Sequence, residues 1–525
     1  MKINLIVLLL ISYSISAQDK VDVLITNGRI VDGTGNSWVY GDVAIKDGKI
    51  VRQGKSLHVT ADKVIDATGL IIAPGFIDVH THIEGEEREN PTADNFIYDG
   101  VTTVITGNCG SSQVDIGKYL SMIDSLKVSI NVAVLVGHNS VRREVMGTSN
   151  RDPNEDEVQK MEALVDEAMR EGAVGMSTGL IYIPGTYSKT EEIVRLAKIA
   201  AKYNGVYASH MRNEGDSVVP AIREALHVGR TAKIPVEISH FKLSGQQNWG
   251  RSTETVSLIE NARKEGIDVT IDQYPYTASS TSLSTMIPDE ILADGADSIR
   301  ARLLRPDTKK YVIDQMLKSL KRRKLKHFSY PVVSFHRADT TLNGKSIEEI
   351  NRIKGRRHRA KYEAETVIEL MLNGGASMVF HGMSEADVKR IMQYPYNMFA
   401  SDASIRIFNQ GVPHPRGYGT NARILSKYVR NENVLVLEEA IRRMTSLPAQ
   451  KFGLSDRGLI RTGMAADIVV FNENEVQDLS TFDKPHQYSK GFQYVLVNGS
   501  LVVDNGRHTG ARPGKPLYGL GSQSQ

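Results

Sequence analysis

His80 and His82 close the apolar run Ala73-Pro74-Gly75-Phe76-Ile77-Asp78-Val79-His80-Thr81-His82. Side chains alternate faces along a strand, so two histidines one residue apart point the same way and can close on one metal ion. Three more potential ligands follow apolar runs downstream: Cys109 in Gly107-Asn108-Cys109-Gly110, His210 after Val206-Tyr207-Ala208-Ser209, and His240 after Val236-Glu237-Ile238-Ser239. Thiolate and imidazole together form an N/S donor set that zinc accepts, and a catalytic zinc site leaves one position open for water. Asp402 ends Met398-Phe399-Ala400-Ser401-Asp402. A carboxylate there could take a proton from water and pass it to a leaving amine, and an Asp after a strand also suits a helix N-cap. Lys242, Arg416, Tyr182, Tyr274 and Tyr276 fall near the same run ends. Arg and Lys there suit an anionic substrate group, Arg by forking onto a carboxylate. His138 and Asn213 stand in comparable places without an assigned role.

Something must bring these run ends together. Apolar runs finish near His82, Gly107, Gly137, Thr178, His210, His240, Asp272 and Asp402. The early ones are spaced by about thirty to forty residues, the length of a strand–helix unit. Eight such units make a (β/α)8 barrel of the TIM type, whose chemistry sits at the C-terminal ends of its strands. That barrel is expected over residues 73–463. Before it, residues 18–72 read as short strands with Asn27-Gly28 and Asp47-Gly48 turns, and residues 464–525 have the same texture. Both ends are therefore expected to build one small β-sandwich. Residues 284–361 exceed what one barrel helix needs and are rich in Lys, Arg and Glu. They are expected to form an inserted, mostly helical subdomain, either a lid over the barrel mouth or a peripheral decoration.

The chain has 525 residues, 41% hydrophobic and 24% charged, with a net charge of +3. That balance points to neither nucleic acid nor membrane as a partner, and the basic clusters Lys321–Lys324 and Arg356–Arg359 have no aromatic residues between them. Residues 1–17 read as a signal peptide, with Lys2, the apolar run Leu5–Ile11 and Ser16-Ala17 before Gln18. The run is too short to span a bilayer, so no membrane anchoring is expected, and export to a periplasm or beyond the cell is. Cys109 is the only cysteine, which excludes an intrachain disulfide and favours an occupied thiol in an oxidising compartment.

The segment Ala73–His82 resembles the opening signature of the amidohydrolase superfamily. Gly107–Gly110, Ser209–Asp216, Ile238–Lys242, Asp272–Tyr276, Ser401-Asp402 and His414–Arg416 together resemble the N-acyl-D-amino-acid deacylases, or D-aminoacylases, from about residue 22 to 515. The resemblance implies that Cys109, His210 and His240 hold a tight zinc ion and that His80 and His82 frame a weaker second position. Other superfamily members bridge their metals with a carboxylated lysine on strand four, where Ala173–Thr178 offers none; in the D-aminoacylase branch a strand-two cysteine takes that ligand position, and Cys109 stands where it should. It implies Asp402 as general base and acid, and Tyr182, Lys242, Tyr274 or Tyr276, and Arg416 as substrate-binding groups. The implied reaction is hydrolysis of a linear N-acyl-D-amino acid. A dipeptidase acting on L-Xaa-D-Xaa peptides shares the bond and the stereocentre; a cyclic amidase or a non-catalytic binding protein would be rival readings. Ala403-Ser404 after Asp402 departs from the glycine the resemblance implies there.

Overall fold

The computed structural model describes residues 20–524; the expected signal peptide lies outside them. Eight parallel strands form the centre: β1 (Phe76–Asp78), β2 (Val101–Thr106), β3 (Asn131–Val134 continued by Val136–Gly137), β4 (Gly175–Gly179), β5 (Val206–His210), β6 (Val236–Ile238), β7 (Val269–Gln273) and β8 (Asn397–Phe399). They pair in sequence order, every pair parallel. The ring closes where Asp402 donates its backbone N–H to the His80 carbonyl at 2.9 Å and Thr81 bridges to Ala403. Asp78 reinforces that seam, its carboxylate accepting from the Ser401 N–H. Each strand ends within about four residues of one of the eight expected run ends, and this is a (β/α)8 barrel.

Strands from both chain ends join in one nine-stranded sheet: Lys20–Ile30, Val39–Lys46, Lys49–Gly54, Thr60–Asp66 and Ile71–Pro74 with Ile468–Phe471, Phe492–Val497, Ser500–Asp504 and Arg507–His508. Alternation along these strands separates two faces. Ile72, Ile468, Val470 and Leu496 pack within the sheet's own core, while Ile71, Ala73, Val469 and Val495 join the barrel's. Ile71–Pro74 runs straight into β1 through Gly75, where a Cβ would fall 2.2 Å from Thr102 Oγ1. The Pro-Gly step before the histidines is thus a close-approach requirement.

Between β7 and β8 the insertion is wider than residues 284–361. Strands Ala278–Ser282, Pro331–Phe335 and Ser377–His381 form an antiparallel sheet, and helices Ala296–Leu304, Pro306–Arg322, Ile347–Ile353 and Ala360–Leu372 pack on it. The subdomain has a core of its own, including Leu283, Val312, Met316, Ile347, Val367 and Met378. No helix among the described residues is long and apolar enough to cross a membrane.

Candidate metal centre and active site

At the C-terminal ends of β2, β5 and β6 three donors converge. Cys109 Sγ lies 3.4 Å from His210 Nδ1 and 3.6 Å from His240 Nε2, and His80 Nε2 approaches the same sulfur at 3.3 Å. A tetrahedral zinc ion with ordinary Zn–S and Zn–N bonds places sulfur and nitrogen about 3.5 Å apart, so the thiol-to-ring spacing fits one ion. His210 Nδ1 and His240 Nε2 are closer, at 2.6 Å, and holding an ion requires those rings to part by about 0.7 Å. His82 Nε2 and His80 Nε2 stand 3.4 and 3.7 Å from Asp402 Oδ1, a second three-donor group adjoining the first.

Three of these residues adopt a backbone conformation that side chains rarely take: φ is 52° at Cys109, 36° at His240 and 50° at Asp402. Left-handed backbone at a non-glycine residue costs on the order of 1 kcal/mol. Here it turns each side chain off its strand end towards the common centre.

The electrostatics of the cluster favour a thiolate. Burial would push the Cys109 thiol up, but the charges of His80 and His210 outweigh it and hold it well below its ordinary value. Burial works against a charged His80, yet Cys109, Asp272 and Asp402 raise it well above the usual imidazole range. Burial also opposes a charged His82, which bonds to Asp402 and Cys109 nevertheless raise to about 9. His210 is lowered by burial and by His240. For Asp402, burial is again the largest influence and would raise it; Arg416, His80 and His82 reverse the sign and hold it ionised, well below the ordinary carboxylate range.

Several positioning residues went unassigned in the sequence. Asp272 closes β7 and binds twice: its Oδ2 meets His80 Nδ1 at 3.1 Å and its Oδ1 accepts from the His240 N–H at 2.9 Å. Glu214, four residues after His210, lies 2.8 Å from His240 Nδ1 and 2.5 Å from Lys242 Nζ. A metal-ligating histidine generally has its second nitrogen held by a carboxylate, which fixes ring orientation and tautomer. Asp272 and Glu214 do this for His80 and His240, and a strand-end Asp beside the other run ends was the available signal.

Of the expected substrate-binding residues, the structure brings Tyr182 and Arg416 to a cavity of about 500 Å³ that opens on Cys109, His82 and Asp402. Tyr182 O–H meets Thr281 Oγ1 at 2.9 Å. Arg416 Nη1 sits 2.8 Å from Asp402 Oδ2, and its Nε has no protein partner. Lys242, Tyr274 and Tyr276 do not line the cavity. The expectation for Lys242 assumed a strand continuing past His240, but β6 stops at Ile238 and the backbone turns at His240, sending Nζ to Glu214. Tyr274 is packed beneath Arg416, whose guanidinium lies 4.5 Å from its ring centre. Tyr276 is buried against Arg423 and His414. His138 is buried and bonded to Glu192 at 2.8 Å, and the Asn213 side chain accepts from the N–H groups of Gly215 and Ser217. The far wall of the cavity is insertion: Ser280, Thr281, Ser282, Ser334, Phe335 and Ser377. The subdomain therefore stands over the barrel mouth.

A closed barrel with thiolate, imidazoles and an ionised carboxylate at its C-terminal mouth defines a metal-dependent hydrolase. Residues 63–503 match the model of the amidohydrolase family, and over 522 residues the chain is 34% identical to the N-acyl-D-glutamate deacylase of Alcaligenes xylosoxydans xylosoxydans, covering 95% of this chain and 97% of that one. The D-aminoacylase of the same organism is 32% identical over 94% of this chain and 97% of its own length. The crystal structure of the Bordetella bronchiseptica N-acyl-D-glutamate deacylase, complexed with zinc and a phosphonate that mimics the tetrahedral intermediate, superposes with a TM-score of 0.81 at 33% identity over 95% of this chain and all of that one. A D-hydantoinase, at 17% identity and a TM-score of 0.57, shares the fold. The chain belongs to the amidohydrolase family and, within it, to the N-acyl-D-amino-acid deacylases.

Proposed function

We propose that this chain hydrolyses N-acyl-D-amino acids in a zinc-dependent reaction, releasing a carboxylate and a free D-amino acid. The observation that carries the reading is the convergence of Cys109, His210 and His240 on one point beside an ionised Asp402, with Cys109 and Asp402 opening on one cavity. Zinc held by those three side chains would lower the pKa of a water and polarise the acyl oxygen. His80 and His82 frame a second, weaker position. Asp402 takes the proton of the attacking water and returns it to the amide nitrogen as the C–N bond breaks, so one carboxylate serves both transfers. Arg416 keeps Asp402 ionised and offers its unpartnered Nε to the α-carboxylate. Tyr182 positions the acyl end through its hydroxyl.

The charge of the cavity separates this reading from the dipeptidase. Asp402 is the only carboxylate among the lining residues, against Arg143, Arg406 and Arg416. An L-Xaa-D-Xaa dipeptide would bring an ammonium group with nothing free to pair it, whereas an acylated nitrogen carries no charge.

The test is release of amino acid from paired D and L N-acetyl substrates (Met, Leu, Glu, Asp, Phe) by zinc-loaded enzyme, with L-Ala-D-Xaa dipeptides in parallel. Turnover confined to D-configured N-acetyl compounds is expected. Cleavage of the dipeptides alone would transfer the assignment to a dipeptidase, and L-selective hydrolysis would reject the branch.

A further inference from the structure

Arg406 lies four residues beyond Asp402, in a loop outside the motifs that carry the family resemblance, and it lines the same cavity. Its Nε is buried without a hydrogen-bond partner, and no carboxylate among the described residues forms an ion pair with it. The other cavity cations differ. Arg416 is paired with Asp402, and Arg143, exposed at the rim, bonds the Ile183 carbonyl at 2.9 Å. Arg406 is partly buried, and Glu86 and Asp402 act on it from a distance without pairing, so its guanidinium at the cavity wall can take the charge of a ligand.

The surroundings show that Arg406 is held in place. Its backbone N–H donates to Asn95 Oδ1 at 3.0 Å, and its carbonyl accepts from Asn90 Nδ2 at 3.3 Å. The buried Asn95 also donates to the carbonyls of Ser404 and Gly417 at 3.2 and 2.7 Å, tying the loop to the start of the following helix. Gly417 clears the space for the guanidinium: a Cβ there would lie 2.9 Å from Arg406 Nε. Burial, with Arg416 nearby, lowers the Arg406 pKa against the opposing influence of Tyr418, Glu86 and Asp402.

A singly charged N-acyl-D-amino acid has one carboxylate, which Arg416 accommodates, and leaves Arg406 unpaired. We infer that Arg406 forms a second anion subsite that receives a side-chain carboxylate, so that the preferred substrates are N-acyl derivatives of acidic D-amino acids, aspartate or glutamate. The inference rests on the deacylase reading and sharpens it. Ser404 and Gln410 of the same loop line the cavity beside Arg406 and supply further polar groups.

The discriminating substrates are N-acetyl-D-glutamate and N-acetyl-D-aspartate against their isosteric amides, N-acetyl-D-glutamine and N-acetyl-D-asparagine. Zinc-loaded wild-type enzyme should favour the acid over its amide in kcat/KM by about 100-fold or more, because the neutral analogue leaves the cation at the cavity wall unpaired. Arg406→Gln should bring that ratio close to one, chiefly through KM of the acidic substrate, and Arg406→Lys should recover part of it. Wild-type preference for the amides, or for N-acetyl-D-methionine, would overturn the subsite and leave the deacylase reading intact. An equal loss on acids and amides in Arg406→Gln, with Arg406→Lys no better, would overturn it in favour of a role in holding the Asp402 loop. Failure to hydrolyse any N-acetyl-D-amino acid would overturn the parent reading as well, which separates the two failures.

Discussion

At the barrel mouth, Cys109, His210 and His240 leave the ends of three parallel strands, are buried, and turn their donor atoms onto one another at 2.6 to 3.6 Å. The insertion carries a second histidine cluster of a different build. His327 and His358 stack with ring centres 4.0 Å apart and planes inclined by 19°, and Glu363 completes the group. There His327 Nδ1 is bonded to Glu363 Oε1 at 2.6 Å, and His358 Nε2 to Glu348 Oε1 at 2.7 Å. His358 is exposed and His327 partly so. One cluster aims its donors at a common point; the other spends its ring nitrogens on separate carboxylates. Composition alone does not distinguish them. What does is the origin of the side chains: barrel strands fix the direction of each donor before any ligand arrives, whereas the insertion's loops and helices let each histidine settle on its own partner.

The comparison breaks most readily at Cys109. Cys109→Ala should abolish both stoichiometric zinc and turnover, the latter by about 10³-fold or more, since it removes the one sulfur of the proposed ligand set. A Cys109→Ala protein that keeps one zinc per chain and its activity would mean that the barrel cluster is no more a metal centre than the stacked histidines. Asp402→Asn should leave zinc content unchanged while kcat falls by about 10² to 10⁴-fold, the usual range for losing a positioned acid–base group. Persistence of wild-type turnover would remove Asp402 from the chemistry.

Arg416 sharpens the same region through pH. Asp402 acts as a base only when ionised, and Arg416 is the leading influence that holds its pKa down against burial. In Arg416→Gln the burial contribution is less opposed, so the Asp402 pKa rises and the acid limb of kcat/KM should move to higher pH. An acid limb in the same place would show that Arg416 serves the substrate alone.

How much of this was legible depended on what kind of backbone carries each residue. Buried parallel strands read as continuous apolar runs, and each run here ends at or just before a polar residue, so eight strand ends and the Cys109, His210, His240 and Asp402 positions could be placed from sequence. The insertion's sheet could not: Ala278-Ser279-Ser280-Thr281-Ser282 has no apolar alternation, and the strand it pairs with, Ser377–His381, lies about 100 residues away. The route of the Lys242 side chain was not legible, because face alternation holds only while a strand persists and the φ of 36° at His240 ends it, bringing Nζ to Glu214 and His240 Nδ1. Arg406 offered no period at all. Its position depends on Asn95, from a helix some 310 residues earlier in the chain, and on a glycine that makes room.

The smallest effect belongs to the second cluster. His327→Ala removes one hydrogen bond from the fully buried Glu363, which keeps its bond from the Phe328 N–H at 2.7 Å. Losing one partner of a buried carboxylate costs about 1–3 kcal/mol, so the unfolding midpoint should drop by a few degrees. Zinc per chain and turnover should stay at wild-type values, because nothing in this cluster points into the cavity at the barrel mouth. Metal analysis after exhaustive dialysis, run beside Cys109→Ala, puts the two clusters on one scale. A loss of zinc from His327→Ala comparable to that from Cys109→Ala would show that side chains on loops and helices can hold an ion as well as those on strand ends, and the contrast drawn from their geometry would fall.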